Sequence, residues 1–164
     1  MDTILQKIET LGPPLLLGAA TTVQITFVSL AIAVALGLVL ALVQRAGIGW
    51  LNWIITAYIE VFRNTPVLTQ LFIIYFGLPY LGYHIPSLLA AVIGLGLNGS
   101  AVLAEVFRIG IASIHTGQRE AAASVGMTPG MSMRYIILPQ TWRITLPPIG
   151  NYAIALFKDT AVVS

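Results

Sequence analysis

Four ionisable side chains lie in or beside strongly apolar stretches of this chain, where an isolated charge is costly. They are Arg63, Glu105, Arg108 and Asp159. A charged side chain at the centre of a bilayer costs about 2.5–3.5 kcal/mol on insertion scales, so it needs an opposite charge or a binding role. If Arg108 and Asp159 face a central cavity, they could bind the oppositely charged ends of a zwitterionic ligand.

A second interpretation of these charges requires no ligand. Glu105 and Arg108 are three positions apart and could neutralise each other on one helical face. Lys158 could pair with Asp159 in a similar way at the end of a helix. The sequence alone leaves both interpretations open.

The apolar region of residues 50–80 is interrupted by Arg63 and Pro66. Proline cannot continue an ideal helix, and Asn64 and Thr65 are typical capping residues, so we predict a kink or a restart here. Residues 66–76 are too short to cross a membrane alone at about 1.5 Å per residue, so both halves of a broken helix are needed for the crossing. Arg63 is a candidate for the substrate pathway, because irregular backbone at membrane depth is tolerated where it lines a cavity.

No constellation of residues in the chain predicts an enzyme or a metal site. Gly94, Gly96 and Gly99 match G-x-G-x-x-G, but they lie inside an apolar stretch and predict close helix packing instead of dinucleotide binding. Neither lysine follows a glycine, which excludes a phosphate loop, and there is no cysteine. His84 has no neighbouring cluster of metal ligands. We therefore expect no catalytic residue and no metal.

The composition is that of an all-α polytopic membrane protein. Hydrophobic residues make up 57% of the chain and charged residues 9%, and the mean hydropathy is +0.90. Residues 1–14 form an amphipathic segment, and residues 15–164 form the transmembrane domain. We predict four spans, which are residues 15–43, 50–80, 86–109 and 144 onward. Because the chain stops inside apolar sequence, we expect it to be truncated at the C-terminus.

A polar connection at about residues 110–143 separates the third and fourth spans. Ala121 and Ala122 favour a helix, and Gly126 suits the left-handed position that follows a helix end. Thr128 and Pro129 then supply a cap and a first helical position. The connection is therefore predicted to be a helix-turn-helix with a tight turn.

The basic residues predict the orientation in the membrane. Arg45 follows the first span, and Arg119, Arg134 and Arg143 follow the third, whereas the turn after the second span has no Lys or Arg. By the positive-inside rule, the basic connections face the cytoplasm and the N-terminus lies outside. The helix-turn-helix is therefore expected to be cytoplasmic.

One family shares the spacing of this polar connection. The segment that begins at Glu120, EAAASVGMTPGMSMRYIILPQ, is similar to the signature loop of the permease subunits of bacterial ABC importers. The flanking segments look like the branch that carries polar amino acids such as histidine, glutamine and arginine. They read RNTPVLTQLFIIYFGLP, AEVFRIGIASI, ILPQTWRITLPPIGN and LFKDTAVVS. The resemblance covers nearly the whole chain from about residue 12 onward.

The resemblance implies partners that the chain itself does not contain. The loop would dock on a separate ATPase through Glu120, Ala121, Ala122 and Gly126. A second permease subunit, identical or homologous, two ATP-binding subunits and an extracytoplasmic solute-binding protein would complete the transporter. ATP and Mg²⁺ would bind to the ATPase, so no cofactor is expected on this chain. Family members continue to a fifth span, so four spans of a five-span core are visible here.

The resemblance thus implies that the chain is the transmembrane subunit of an importer in the bacterial cytoplasmic membrane. Such a subunit would carry polar amino acids by alternating access, driven by ATP hydrolysis on a partner chain. Alternatives stay open, among them a membrane-embedded assembly or sensor subunit that transports nothing. Two others concern transport. One is a permease of a related ABC importer for methionine or an inorganic ion, and the other is a gated membrane channel without an ATPase partner.

Overall fold

A computed structural model describes the backbone of residues 2–161 and the side chains of residues 10–161. This part of the chain is all-helical and contains no strand, which confirms that the protein is all-α. Two π-helical turns, Ile73–Gly77 and Met133–Ile137, lie between α-helices. The eight α-helices are α1 (Asp2–Arg45), α2 (Gly49–Asn64), α3 (Val67–Phe72), α4 (Leu78–Tyr80), α5 (Ser87–Ala112), α6 (Thr116–Ser124), α7 (Pro129–Ser132) and α8 (Leu138–Thr160).

Helices α1 and α5 form the centre of the fold and make its most extensive contact. Within the described residues, residues 10–45 of α1 and the whole of α5 are the two helices that are long and apolar enough to cross a membrane. Gly37 brings them together, since a Cβ atom there would lie 3.0 Å from the backbone N of Ala104 and the backbone O of Ser100. Small residues at such a contact let two backbones approach closely.

The glycines of the G-x-G-x-x-G pattern are packing residues of α5, as predicted. A Cβ atom at Gly96 would lie 2.9 Å from Cγ2 of Ile32 in α1. One at Gly99 would lie 2.6 Å from Oη of Tyr152 in α8. The pattern therefore marks where α1 and α8 pack on α5.

The predicted break in the second apolar region occurs at Pro66. Helix α2 ends at Asn64, Thr65 and Pro66 have extended backbone conformations, and α3 begins at Val67. The prediction that Asn64 and Thr65 cap the new helix is wrong. Asn64 Nδ2 donates to the backbone O of Glu60 at 2.8 Å, and Thr65 Oγ1 donates to the backbone O of Val61 at 2.7 Å. Both side chains bond back to the end of α2.

Three predicted boundaries differ from the observed helices. Helix α1 continues through residue 14 without a break, although Pro13 and Pro14 lie inside it. The turn expected at residues 77–85 begins only after α4 and contains Gly82 with φ +85°. The fourth span was expected to open at residue 144, but α7, a π-helical turn and α8 follow one another without an interruption. Residues 162–164 of the expected fourth span lie outside the described residues.

Candidate functional site

The polar connection between α5 and α8 folds into a helix and a tight turn. Helix α6 begins after His115, whose Nδ1 accepts a hydrogen bond from the backbone N of Gly117 at 3.1 Å. Gly126 follows its end with φ +78°. Its N–H donates to the O of Ala123, and the N–H of Met127 donates to the O of Ala122, both at 3.0 Å. These two bonds form a Schellman motif, which explains why glycine is needed at Gly126.

The helix that follows the turn starts as the sequence predicts. Thr128 Oγ1 accepts a hydrogen bond from the backbone N of Met131 at 3.3 Å, and Pro129 occupies the first helical position. The second half of the helix-turn-helix is not a separate element, because α7 leads directly into α8. The turn is thus attached to the last long helix of the chain.

Helix α6 is fastened to the two neighbouring long helices by side chains. Arg119 Nη2 donates to the backbone O of Ile111, in the last turn of α5, at 3.1 Å. Gln140 Nε2, in the first turn of α8, donates to Oε1 of Gln118 at 3.3 Å. A displacement of α6 would therefore act on both α5 and α8.

The four residues predicted to contact an ATPase differ in exposure. Glu120 and Ala121 are exposed on α6, and Gly126 is exposed in the turn. Ala122 is 0% exposed and packs against this chain, whereas the resemblance implies that it belongs to the surface that docks on the ATPase. Its small side chain instead lets α6 lie close to the rest of the fold. Val125 is 74% exposed beside Gly126, which places an apolar side chain at the tip.

The intramembrane charges are only partly paired. Arg108 donates from Nε to Oε2 of Glu105 at 2.7 Å and from Nη2 to Oε1 at 2.5 Å. This bidentate pair is the one salt bridge within residues 10–161. It agrees with the interpretation that Glu105 and Arg108 neutralise each other. The other possible pair, Lys158 with Asp159, does not form a salt bridge.

One of the four candidates lies apart from the others within a single chain. Arg108 borders Arg45 at the C-terminal end of α1, whereas Asp159 adjoins Thr160, which bonds to Thr26 near the middle of α1. Arg108 keeps 51% of its side chain exposed despite its partner, and Asp159 is exposed on the last turns of α8. Arg63, also exposed, is near enough to Glu105 to attract it electrostatically. Because Arg63, Arg108 and Asp159 are exposed, they are available to contact another subunit or to line an aqueous cavity.

Sequence analysis missed two residues that hold the broken helix. Gln70 Nε2 donates to the backbone O of Phe62 at 2.8 Å and to that of Thr65 at 3.0 Å. Asn98 Nδ2 of α5 donates to the same Phe62 oxygen at 3.0 Å and to Oε1 of Gln70 at 3.3 Å. These bonds satisfy carbonyls that the end of α2 leaves without helical partners. The sequence did contain a signal for these two residues, because each is an isolated amide side chain inside an apolar stretch.

Comparisons with known proteins agree with this architecture. Residues 33–164 match the family described as the binding-protein-dependent transport system inner membrane component. The chain is 38% identical over 152 residues to the probable amino-acid ABC transporter permease protein y4tG of Sinorhizobium fredii (strain NBRC 101917 / NGR234). These residues make up 93% of this chain and 66% of that protein. It is 42% identical over 153 residues to the arginine transport system permease protein ArtQ of Bacillus subtilis (strain 168), with 93% and 70% covered.

A solved structure has the same fold. It is a crystal structure of an amino acid ABC transporter with histidines, with a TM-score of 0.88 and 40% identity over 96% of this chain and 74% of that one. The chain spans about two thirds of the length of its curated relatives, 66% of one and 70% of the other. The family match and these similarities extend over most of the helices described above. The chain belongs to the family of inner-membrane components of binding-protein-dependent transport systems.

Proposed function

We propose that this chain is the transmembrane subunit of an ATP-driven importer of polar amino acids in the bacterial cytoplasmic membrane. The observation that carries the proposal is the position of α6, which presents Glu120 outward while Arg119 and Gln118 fasten it to α5 and α8. The relative named for arginine transport supports the solute class. A gated channel is not favoured, since the relatives are permeases of ABC transporters.

In this proposal, α6 transmits the movement of an ATPase to the membrane helices. ATP and Mg²⁺ bind to the partner ATPase, and closure of two such subunits draws two copies of α6 together. The hydrogen bond of Arg119 to Ile111 passes this displacement to α5, and that of Gln140 to Gln118 passes it to α8. Nucleotide and solute then shift the population between inward-open and outward-open states through their different affinities for each.

The substrate pathway would form where two permease subunits meet, with a solute-binding protein delivering substrate from outside. Arg63, Arg108 and Asp159 are exposed on this chain, which supports their facing such a cavity. Because Glu105 already neutralises Arg108, we assign Arg63 and Asp159 the larger share of unbalanced charge. An amino acid would offer its carboxylate to Arg63 and its ammonium group to Asp159 where the second subunit brings the two charges together.

The proposed orientation places the N-terminus outside and the helix-turn-helix in the cytoplasm. Arg45 at the end of α1 and Arg119 in α6 line the same cleft, which supports a common side for the two basic connections. The positive-inside rule then assigns that side to the cytoplasm. Labelling of a cysteine introduced at an exposed residue of α6 with an impermeant thiol reagent, in intact and in opened cells, would test this assignment.

Charge reversal at Glu120 tests the proposed function. In vesicles containing the permease and its ATPase, Glu120→Lys should abolish uptake while the permease still inserts, because the exposed carboxylate on α6 would contact the ATPase. Glu60→Gln is a suitable control, since it neutralises an exposed carboxylate on α2, outside the helix-turn-helix. Normal uptake and a normal ATPase response in Glu120→Lys would show that α6 is not the coupling element.

A further inference from the structure

A cleft of about 640 Å³ opens between the C-terminal end of α1 and the helix-turn-helix. Most of its walls are apolar and include Leu42, Met133 and Ile137. Its polar side chains are Arg45, Arg119 and Ser132, and no carboxylate lines it. The cleft therefore combines an apolar wall with a positive charge that nothing within it balances.

Two polar atoms of this cleft are buried without a partner. Ser132 is 8% exposed, and its Oγ atom has no hydrogen bond. The Nε atom of Arg119 is likewise buried and has no hydrogen bond, although Nη2 of the same side chain is held by the oxygen of Ile111. Buried donors of this kind are rare in folded proteins and call for a ligand or an ordered water. The Arg119 side chain is therefore held by one hydrogen bond and still has one N–H group that makes none.

The two guanidinium groups also repel each other. Arg119 is near enough to Arg45 for the two like charges to disfavour each other. An anion between them would remove this repulsion and accept hydrogen bonds from both. Phosphate oxygens match the planar, multiple donors of arginine especially well.

The position of the cleft indicates which phosphate could reach it. Arg45 is the last residue of α1, one of the two helices long and apolar enough to cross a membrane, so the cleft lies at the level of the lipid headgroups. Basic pockets between membrane helices on the cytoplasmic side are typical sites for anionic lipid headgroups. The apolar walls suit the glycerol and the upper acyl chain of a lipid better than they suit a free, fully hydrated anion.

We propose that this cleft binds the phosphate group of an anionic phospholipid from the cytoplasmic leaflet. The phosphate lies between Arg45 and Arg119 and accepts a hydrogen bond from Ser132. The lipid thereby links the end of α1 to α6 and α7, which are otherwise held to the fold mainly through α5 and α8. The side of the membrane rests on the proposed orientation, but the site itself requires neither an ATPase nor transport.

Lipid retention tests the proposal. The permease is purified as the complex that it forms in the cell and is exchanged into nanodiscs of phosphatidylglycerol or of phosphatidylcholine. It is then transferred to detergent, and native mass spectrometry measures the lipids that stay bound. Wild type should retain phosphatidylglycerol in preference to phosphatidylcholine. Arg45→Gln should lower that retention about tenfold, since it removes one charge-assisted contact, and Arg45→Lys should restore part of it.

Matched controls separate this site from a general effect of charge. Arg134→Gln and Arg143→Gln remove basic residues that do not line the cleft, and both should retain phosphatidylglycerol like wild type. Ser132→Ala should weaken retention without changing the net charge. Equal retention by Arg45→Gln and wild type, or equal retention of the two lipids by wild type, would overturn the proposal.

Two further outcomes distinguish the possible sources of failure. Thermal stabilisation by inorganic phosphate alone, without retained phosphatidylglycerol, would refute the lipid as the source of the anion. Loss of lipid retention in the wild-type protein would refute this inference even if amino acid uptake were normal. Retained lipid with no ATP-driven uptake would contradict the proposed function and leave the lipid site standing.

Discussion

A substitution of Gly126 tests the helix-turn-helix, because a side chain at this position would strain the backbone without clashing with neighbouring atoms. A Cβ atom added there would have no heavy atom within 4 Å, so a side chain would meet no steric obstacle. Its φ of +78°, however, is in the left-handed region. For a residue other than glycine, this conformation costs about 1–2 kcal/mol. Gly126→Ala should therefore open the Schellman motif and tilt α6 relative to α7.

Gly130 provides the matched control for this change. It is also free of neighbours within 4 Å of an added Cβ atom, but it lies in α7 and does not have positive φ. Alanine in a helix is favoured over glycine by about 0.8–1.0 kcal/mol, so Gly130→Ala should stabilise the same connection slightly. The two substitutions add the same methyl group four residues apart and are expected to act in opposite directions.

Association with the ATPase is the quantity to measure. A strain of about 1–2 kcal/mol corresponds to a population shift of about 5-fold to 30-fold, so Gly126→Ala should weaken binding of the ATPase by that factor. Gly130→Ala should bind at least as well as wild type. Titration of detergent-solubilised permease with labelled ATPase would give both values. If both variants bound equally, the left-handed turn would not position α6 for a partner.

Two other predictions follow from the pathway and from the broken helix. Asp159→Asn and Arg108→Gln should impair uptake while ATPase binding is kept, and single cysteines at these positions should react with small water-soluble thiol reagents and be protected by substrate. Failure of both cysteines to react in every nucleotide state would make these charges, with Glu105, purely structural. Gln70→Leu should lower the unfolding free energy by about 1–3 kcal/mol, because it removes the side-chain donor to the carbonyl of Thr65 and one of the two donors to that of Phe62. Thr69→Val, at an exposed neighbour, should change thermal stability little, and equal effects of both would refute the role of Gln70.

Features set by a few adjacent residues could be predicted from the sequence. The left-handed conformation of Gly126, the cap formed by Thr128 and the break at Pro66 each depend on the local backbone preferences of these residues. The long apolar helices followed from the absence of charge over long stretches. The packing role of the glycines in α5 was correctly predicted because they lie inside one of these apolar stretches.

Features that depend on distant residues could not be predicted in this way. Burial of Ala122 depends on which face of α6 meets the rest of the chain, and the bond of Arg119 to the distant Ile111 contributes to holding that face in place. The bonds of Gln70 and Asn98 join residues 28 positions apart. A sequence pattern shows that such amides are unusual in apolar surroundings, but it does not show which carbonyls they reach.

Helices α7 and α8, joined by a π-helical turn, form one continuous helical segment that can tilt as a unit. From Pro129 to Thr160 the backbone is helical throughout, which at about 1.5 Å per residue corresponds to a rod about 48 Å long. A tilt of about 10° around the middle of such a rod displaces each end by about 4 Å in opposite directions. Pro147 and Pro148 lie near that middle and lack the N–H groups that would bond to the preceding turn, so a bend there would reduce the part of the tilt that reaches the far end. Under the proposed function, a small push beside Gly126 would therefore displace Asp159 in the opposite direction.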